Sequence, residues 1–267
     1  MNTKIGINRN VLKIIAAISM FIDHLGYEVY PDMEILRIIG RLAYPIFAYF
    51  IYEGCKYTRN RLRYFLQVFL LGMICFAAYY IYSKEVYGNI LLTFSLSIII
   101  LSALHYLKSY LAKIVHRDGS MKINALLLVG SGIFVGITVF LAHYICGKVY
   151  IDYGFAGVMV PVFVELFDVD VFIKEEIREQ LKQETRQGLA ILLDITKRIL
   201  LLMGFTIGLL AVIFAEDSES YQWYSLITIL LLAVYNGKKG KLKMKYFFYL
   251  YYPLHLLVVE AIAMLVG

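Results

Sequence analysis

Residues 123–146 read INALLLVGSGIFVGITVFLAHYIC, 24 positions without a Lys, Arg, Asp or Glu. A helix of that length rises about 36 Å, enough to cross a hydrocarbon core of about 30 Å. Comparable apolar runs recur along most of the 267 residues, which are 61% hydrophobic and 17% charged, with a mean hydropathy of +0.71. These values are too apolar for a soluble domain, and they exclude a soluble α/β enzyme, a disordered chain and a disulfide scaffold. The expected fold class is all-α, a polytopic membrane helical bundle.

Nine spans are expected, at residues 11–30, 36–55, 62–82, 89–107, 123–146, 152–168, 198–215, 221–235 and 246–266. The first follows Lys4, Arg9 and Lys13 and could be mistaken for a signal-peptide core. It lacks a small-residue cleavage site and is interrupted by Asp23-His24, so it is expected to stay in the protein. Basic residues test the count independently, because cytoplasmic loops carry the excess of Lys and Arg. Alternate segments hold 22 of the 26 basic residues: the stretch before helix one, Lys56–Arg63, Lys108–Lys122, Lys174–Arg198 and Lys238–Lys245. The other side holds Arg37, Arg41, Lys84 and Lys148 with the acidic cluster Glu216, Asp217 and Glu219. The amino terminus is therefore expected in the cytoplasm and the carboxyl terminus outside, in a multi-pass protein of the cell (inner, cytoplasmic) membrane. The net charge of +6 then reflects insertion into lipid, and no nucleic acid is expected as a partner.

Cys55, Cys75 and Cys146 lie in apolar stretches with no CxxC and no Cys/His cluster, so neither a disulfide framework nor a metal site is expected. From Lys174 to Gln187 the chain is dense in Lys, Glu, Gln and Arg, with Ile173, Ile177 and Leu181 spaced by four. That pattern predicts an amphipathic cytoplasmic helix on the bilayer surface, within a loop over about 169–197. There is no internal repeat, and residues 1–267 are expected to form a single integral membrane domain. Wide apolar surfaces between helices are expected to allow homo-oligomerisation.

An ionisable group inside a span is costly unless it faces the bundle interior and finds a partner, so each is a functional candidate. His24 lies about 16 Å beyond Lys13 along helix one, past the bilayer midplane towards the outside. Asp23 and His24 are sequence neighbours whose side chains diverge by about 100°, so each needs a partner from another helix. Arg37 and Arg41 share one face of the outer end of helix two, after a short turn with Pro31 and Asp32. The hairpin brings either within reach of Asp23, as a structural ion pair or as bidentate donors to a phosphate or pyrophosphate. The run Gly40-Arg41-Leu42-Ala43-Tyr44-Pro45-Ile46-Phe47 combines small residues with a proline whose missing N–H frees a carbonyl. Together with Arg41 and Glu53 it is expected to form a cavity wall. Asp152-Tyr153-Gly154 opens the sixth span, where a carboxylate caps the helix start or meets substrate. Pro253 and His255 sit deeper than an interfacial aromatic belt requires, which marks His255 for substrate contact.

Lys13-Ile14-Ile15-Ala16, Met20, Ile22-Asp23-His24-Leu25-Gly26, then Gly40-Arg41-Leu42-Ala43-Tyr44-Pro45-Ile46-Phe47-Ala48 with Glu53-Gly54, resemble the opening of TraX family proteins. Asp152-Tyr153-Gly154 and the stretch from Asn236-Gly237 to Tyr252-Pro253-Leu254-His255 resemble the later blocks of that family. The likeness spans most of the chain and is poorest near 165–198. It implies an integral membrane acyltransferase of the kind that N-acetylates the amino terminus of pilin subunits. It also implies a cytoplasmic acetyl-CoA donor, no metal, and an extracytoplasmic peptide or glycan acceptor, with membrane lipid around the spans. More distantly, the Lys13 to His24 spacing is similar to that of membrane acyltransferases whose first helix carries a basic residue and, eleven positions later, an essential histidine.

On this reading His24 is the general base, since histidine is the side chain whose ordinary pKa suits proton removal near neutral pH. Asp23 pairs with Arg41 or Arg37, and Glu53 or His255 orients the imidazole. Tyr44, Tyr252 or a protonated His255 donates to the tetrahedral oxyanion. Lys13 and the Arg59–Arg63 cluster attract the phosphates of the donor, and Asp152 with Tyr153 contributes to substrate binding. A proton-coupled transporter or flippase using Asp23, His24 and His255 is the alternative. It fits less well, because no inverted repeat is visible and nine spans divide poorly into halves.

Overall fold

The computed structural model describes residues 6–181, 186–215, 220–241 and 244–266, and within them the chain is predominantly helical. Three asparagines start helices by accepting from a backbone N–H of the first turn that has no partner inside the helix. Asn8 accepts from Val11 at 3.2 Å to open α1 (Arg9–Glu28), and Asn60 accepts from Arg63 at 2.8 Å to open α4 (Arg61–Ser83). Asn89 accepts from Leu91 at 3.1 Å to open α5 (Ile90–His116).

Two compact units form, residues 1–50 with 209–267, and residues 51–208. In the first unit α1 packs on α2 (Glu34–Gly40) and on α11 (Lys245–Val266). A 3-10 helix (Ser220–Leu226) packs on α2 and on α10 (Ile227–Ala233). Tyr251 on α11 donates its hydroxyl to the Ala17 carbonyl on α1 at 2.6 Å.

In the second unit α5 is central, packed on α4, α6 (Met121–Lys148) and α7 (Gly154–Phe167). Its buried hydroxyls act between helices, with Ser97 donating to the Val158 carbonyl at 2.8 Å and Thr93 to the Asp152 carbonyl at 2.7 Å. Two-residue parallel strands, β1 (Tyr87–Gly88) and β2 (Tyr150–Ile151), join the α4–α5 loop to the α6–α7 loop. Helix α9 (Gln187–Ala215) meets α7 through Gly204 and Gly208. A Cβ at Gly204 would lie 2.5 Å from the Phe163 carbonyl oxygen, and one at Gly208 would lie 2.9 Å from the Val160 Cα. Small residues one turn apart allow this backbone approach.

Six helical stretches among the described residues are long and apolar enough to cross a membrane: 34–57 (α2 and α3 taken together), 61–83, 90–116, 121–148, 187–215 and 247–266. The protein is therefore a multi-pass helical membrane protein, and the expected nine spans reduce to six by this standard. Helix α1 has the length but is interrupted by Arg9, Lys13, Asp23 and His24. Helix α7 has 14 residues, a rise of about 21 Å, and the stretch expected at 221–235 divides into a 3-10 helix and the seven-residue α10.

Two local expectations also change. The span expected over 36–55 is broken at Arg41-Leu42, so Pro45 falls in the first turn of α3 (Ala43–Tyr57). A missing N–H is harmless there, since first-turn donors have no partner inside the helix, and Pro45 gives no support to a cavity wall. The loop expected over about 169–197 contains a 3-10 turn (Asp170–Phe172) and α8 (Glu175–Leu181), and from Gln187 it is already α9. The acidic cluster Glu216, Asp217 and Glu219 lies outside the described residues.

Candidate active site

Helices α1 and α11 bring the two histidines of the first unit together. The His24 and His255 rings meet edge to face, with centroids 4.9 Å apart and planes at 84°. Each ring is tied to its own helix one turn back. His24 Nδ1 lies 2.8 Å from the Met20 carbonyl and His255 Nδ1 lies 3.1 Å from the Tyr251 carbonyl. A carbonyl only accepts, so each Nδ1 carries the proton, and in the neutral rings both Nε2 atoms keep their lone pairs. His24 is half-buried and His255 is 3% exposed. The Nε2 of His255 is buried with no hydrogen-bond partner among the described residues, a state a folded protein rarely keeps without a use for it. Tyr251 stacks on His255 at 5.2 Å and Tyr252 sits edge-on at 5.5 Å, fixing the ring between aromatic faces.

Asp23 takes Arg37 as partner, with Nη1 to Oδ1 at 3.0 Å and a second contact to the Asp23 carbonyl at 3.3 Å. The guanidinium also lies 5.1 Å from the Tyr27 ring centroid. This pair closes the α1–α2 hairpin and so sets the rotation of α1 on which His24 stands. Gly40 lies directly against Asp23, where any Cβ would overlap the carboxylate, so the approach requires glycine. Arg41, 5% exposed, donates to Gln222 Oε1 at 3.3 Å, and Tyr44 is buried beside it in sequence. Lys13 Nζ lies 5.3 Å from the ring centroids of both Phe50 and Phe248, a cation held by two aromatic faces.

Other expected site residues belong to the second unit. Glu53 is buried at 6% exposure in α3. Asp152 accepts from the Tyr87 hydroxyl at 2.6 Å, and its backbone N–H donates to the Gly88 carbonyl at 3.0 Å, so it latches two loops together. The N-cap of α7 is Tyr153, in a left-handed conformation with φ 60° and no capping bond from its own side chain.

The second unit also holds an ionic cluster that hydropathy reading missed. Lys56 Nζ lies 2.6 Å from Asp168 Oδ2 and 2.5 Å from Asp170 Oδ2, and Lys197 lies 2.8 Å from Asp170 Oδ1. Tyr52 donates to Asp168 at 2.6 Å. Lys108 donates to the carbonyls of Glu165 and Asp168 at the end of α7, where a cation meets the negative end of the helix, and lies 3.6 Å from the Glu165 carboxylate. His105 and Glu165 fall inside expected spans, and that placement was the signal available in the sequence.

Asp170 makes this cluster testable by pH. Burial pushes its carboxyl up, but the hydrogen bonds from Lys197 and Lys56 outweigh burial and hold it at about 2, below the ordinary 3.8. A depressed folded value gives stability that is present above the unfolded value and is lost as pH falls through the folded one. Asp170→Asn is expected to cost about 2 kcal/mol above pH 4. Thermal unfolding of the two proteins should converge as pH falls from about 4 to about 2; a gap independent of pH would contradict the assignment.

Comparisons with known proteins follow this geometry. A family model described as TraX protein matches residues 8–177 and 187–263. An uncharacterized protein of Rickettsia prowazekii (strain Madrid E) is 50% identical over 42 residues, 16% of this chain and 17% of that protein. A probable fimbrial assembly protein, FimC, of Dichelobacter nodosus is 33% identical over 78 residues, 28% of this chain and 32% of that protein. The alignments thus span less than a third of the length of these curated relatives. No solved structure matches.

Proposed function

Because the chain belongs to the TraX family, we propose that it is a membrane acyltransferase, moving an acetyl group from cytoplasmic acetyl-CoA to an amine or hydroxyl at the outer face of the membrane. The acceptor is a pilin amino terminus or another surface peptide or glycan. The likeness to a protein named for fimbrial assembly supports a surface fibre as the destination. The reading keeps the amino terminus in the cytoplasm, from the sidedness of Lys and Arg, and the protein in the inner membrane.

The observation that carries this reading is the imidazole of His24, whose tautomer is set by the Met20 carbonyl and whose ring meets that of His255 edge to face. In the proposed step the acceptor nitrogen or oxygen attacks the thioester carbonyl carbon while His24 Nε2 takes its proton. The carbon–sulfur bond then breaks and the proton passes from the imidazolium to the departing thiolate, so charge and atoms balance. His255 orients the acceptor, and the Tyr252 hydroxyl donates to the oxyanion. Asp23 is a positioning residue acting through the hairpin it forms with Arg37.

Mass spectrometry of surface peptides and glycans from cells with and without the protein tests this. One acetyl group, 42 Da by its chemistry (about 42 Da per transferred acetyl), is expected to disappear from a defined peptide or glycan in cells lacking it. Identical acetylation in both would overturn the reading. Movement of an intact solute in reconstituted vesicles without consumption of acetyl-CoA would favour a transporter.

A further inference from the structure

The Nε2 of His255 makes no hydrogen bond among the described residues, so nothing holds the ring from that side. The plane of this imidazole then depends on what touches its faces and its Nδ1. Tyr251 supplies both. Its carbonyl accepts from Nδ1 at 3.1 Å, and its phenol ring lies 5.2 Å from the imidazole with the planes 6° apart. Phe247, one turn earlier, stacks in turn on Tyr251 at 5.7 Å and 27°. Rings spaced by four residues thus form a column along α11 that ends on the histidine.

The hydroxyl of the same residue reaches the other helix. It donates to the Ala17 carbonyl at 2.6 Å, about two turns before His24. A helical carbonyl keeps a second lone pair after its bond within the helix, and a phenol hydroxyl at bilayer depth is costly unless it finds such an acceptor. Contacts between the two helices follow in the same order along both: Lys13 with Phe248, Ala17 with Tyr251, His24 with His255. Helices α1 and α11 therefore run parallel. Ring pairs stay favourable over centroid separations of about 4.5–7 Å, whereas a hydrogen bond weakens steeply away from its distance and angle. Of these three contacts, the Tyr251 bond is the one that fixes how far α11 has slid along α1.

We propose that Tyr251 is a positioning residue of the His24–His255 centre. Its hydroxyl sets the register of α11 on α1, while its ring and carbonyl set the plane and tautomer of His255. The effect on rate rests on the acyl-transfer reading, in which His255 orients the acceptor; the effect on the imidazole does not.

The test uses the whole protein in two arms. In the first, transfer of labelled acetyl is measured in membranes over a range of acetyl-CoA concentrations. Tyr251→Phe, which keeps the ring and loses the hydroxyl, is expected to lower kcat about tenfold, and Tyr251→Leu, which loses both, about 100-fold. KM for acetyl-CoA is expected to stay within about twofold, because the donor's binding is untouched. Phe247→Leu removes the ring one step further from His255 and is expected to change kcat less than about threefold. In the second arm, magic-angle-spinning 15N NMR of histidine-labelled protein in phosphatidylcholine vesicles reads the tautomer of His255, assigned by its loss in His255→Gln. Nδ1 is expected to carry the proton in the unaltered protein and in Tyr251→Phe, and a second tautomer to appear in Tyr251→Leu. Unchanged kcat in both Tyr251 variants overturns the proposal, as does an equal fall in Phe247→Leu, which would make the column structural. Should the leucine variant fail to fold, Tyr251→Phe, which loses a single oxygen, carries the kinetic arm. An unaltered protein that transfers no acetyl overturns the acyl-transfer reading alone. The second arm then decides: a new tautomer in Tyr251→Leu supports the positioning role, and an unchanged His255 signal overturns it.

Discussion

On the proposed mechanism, His24→Ala is expected to lower acetyl transfer by at least about 100-fold, the lower bound for loss of a positioned general base, while the protein still inserts and folds. The substitution removes a half-buried imidazole held in a fixed tautomer, and with it the proposed base. The structural loss is small, one side-chain hydrogen bond and one ring contact, of the order of 1 kcal/mol. Transfer of labelled acetyl from acetyl-CoA, measured in membranes alongside thermal unfolding, separates the two effects. Normal transfer by this variant would remove His24 as the base, and lost transfer accompanied by collapse of the fold would make its role structural.

The second large effect falls on stability. Asp168→Ala is expected to destabilise the protein by about 3 kcal/mol, because removing one partner from a buried ionic cluster leaves the others uncompensated. Asp168 accepts from Lys56 and Tyr52, both at 2.6 Å, and from the Asp170 N–H at 2.9 Å, so three donors lose their acceptor at once. Adding Lys56→Met removes the stranded charge and should recover part of the loss, a coupling that a double-mutant cycle reads directly. Equal stability of the Asp168→Ala and unaltered proteins in thermal unfolding would show that the cluster contributes nothing net.

The helical membrane character was legible in residues 123–146, because an uncharged run of that length has few other folded solutions. The Asp23–Arg37 hairpin was legible too, since a short turn fixes which ends of two helices meet. The choice between Arg37 and Arg41 was not, because both lie on one face and only packing against Gln222 distinguishes them. Hydropathy could not register the break at Arg41-Leu42, because the apolar pattern runs through it without interruption. It also overlooked Glu165, whose charge is hidden by the apolar window around it, and it assigned Lys108 to a cytoplasmic basic segment, so their pairing becomes visible only where α5 and the end of α7 meet. The early start of α9 at Gln187 was obscured by Asp194, Lys197 and Arg198, which interrupt its apolar run and set the expected span to begin only at 198.

Each imidazole of the pair is moored to a carbonyl of its own helix, so sliding α1 along α11 would alter the gap between the rings and leave each ring's proton partner unchanged. The two properties a proton-transfer centre must control, distance and tautomer, are thereby carried by separate parts of the fold. Regulation of such a centre would act as a shutter on spacing, with its acid–base character preserved in every position.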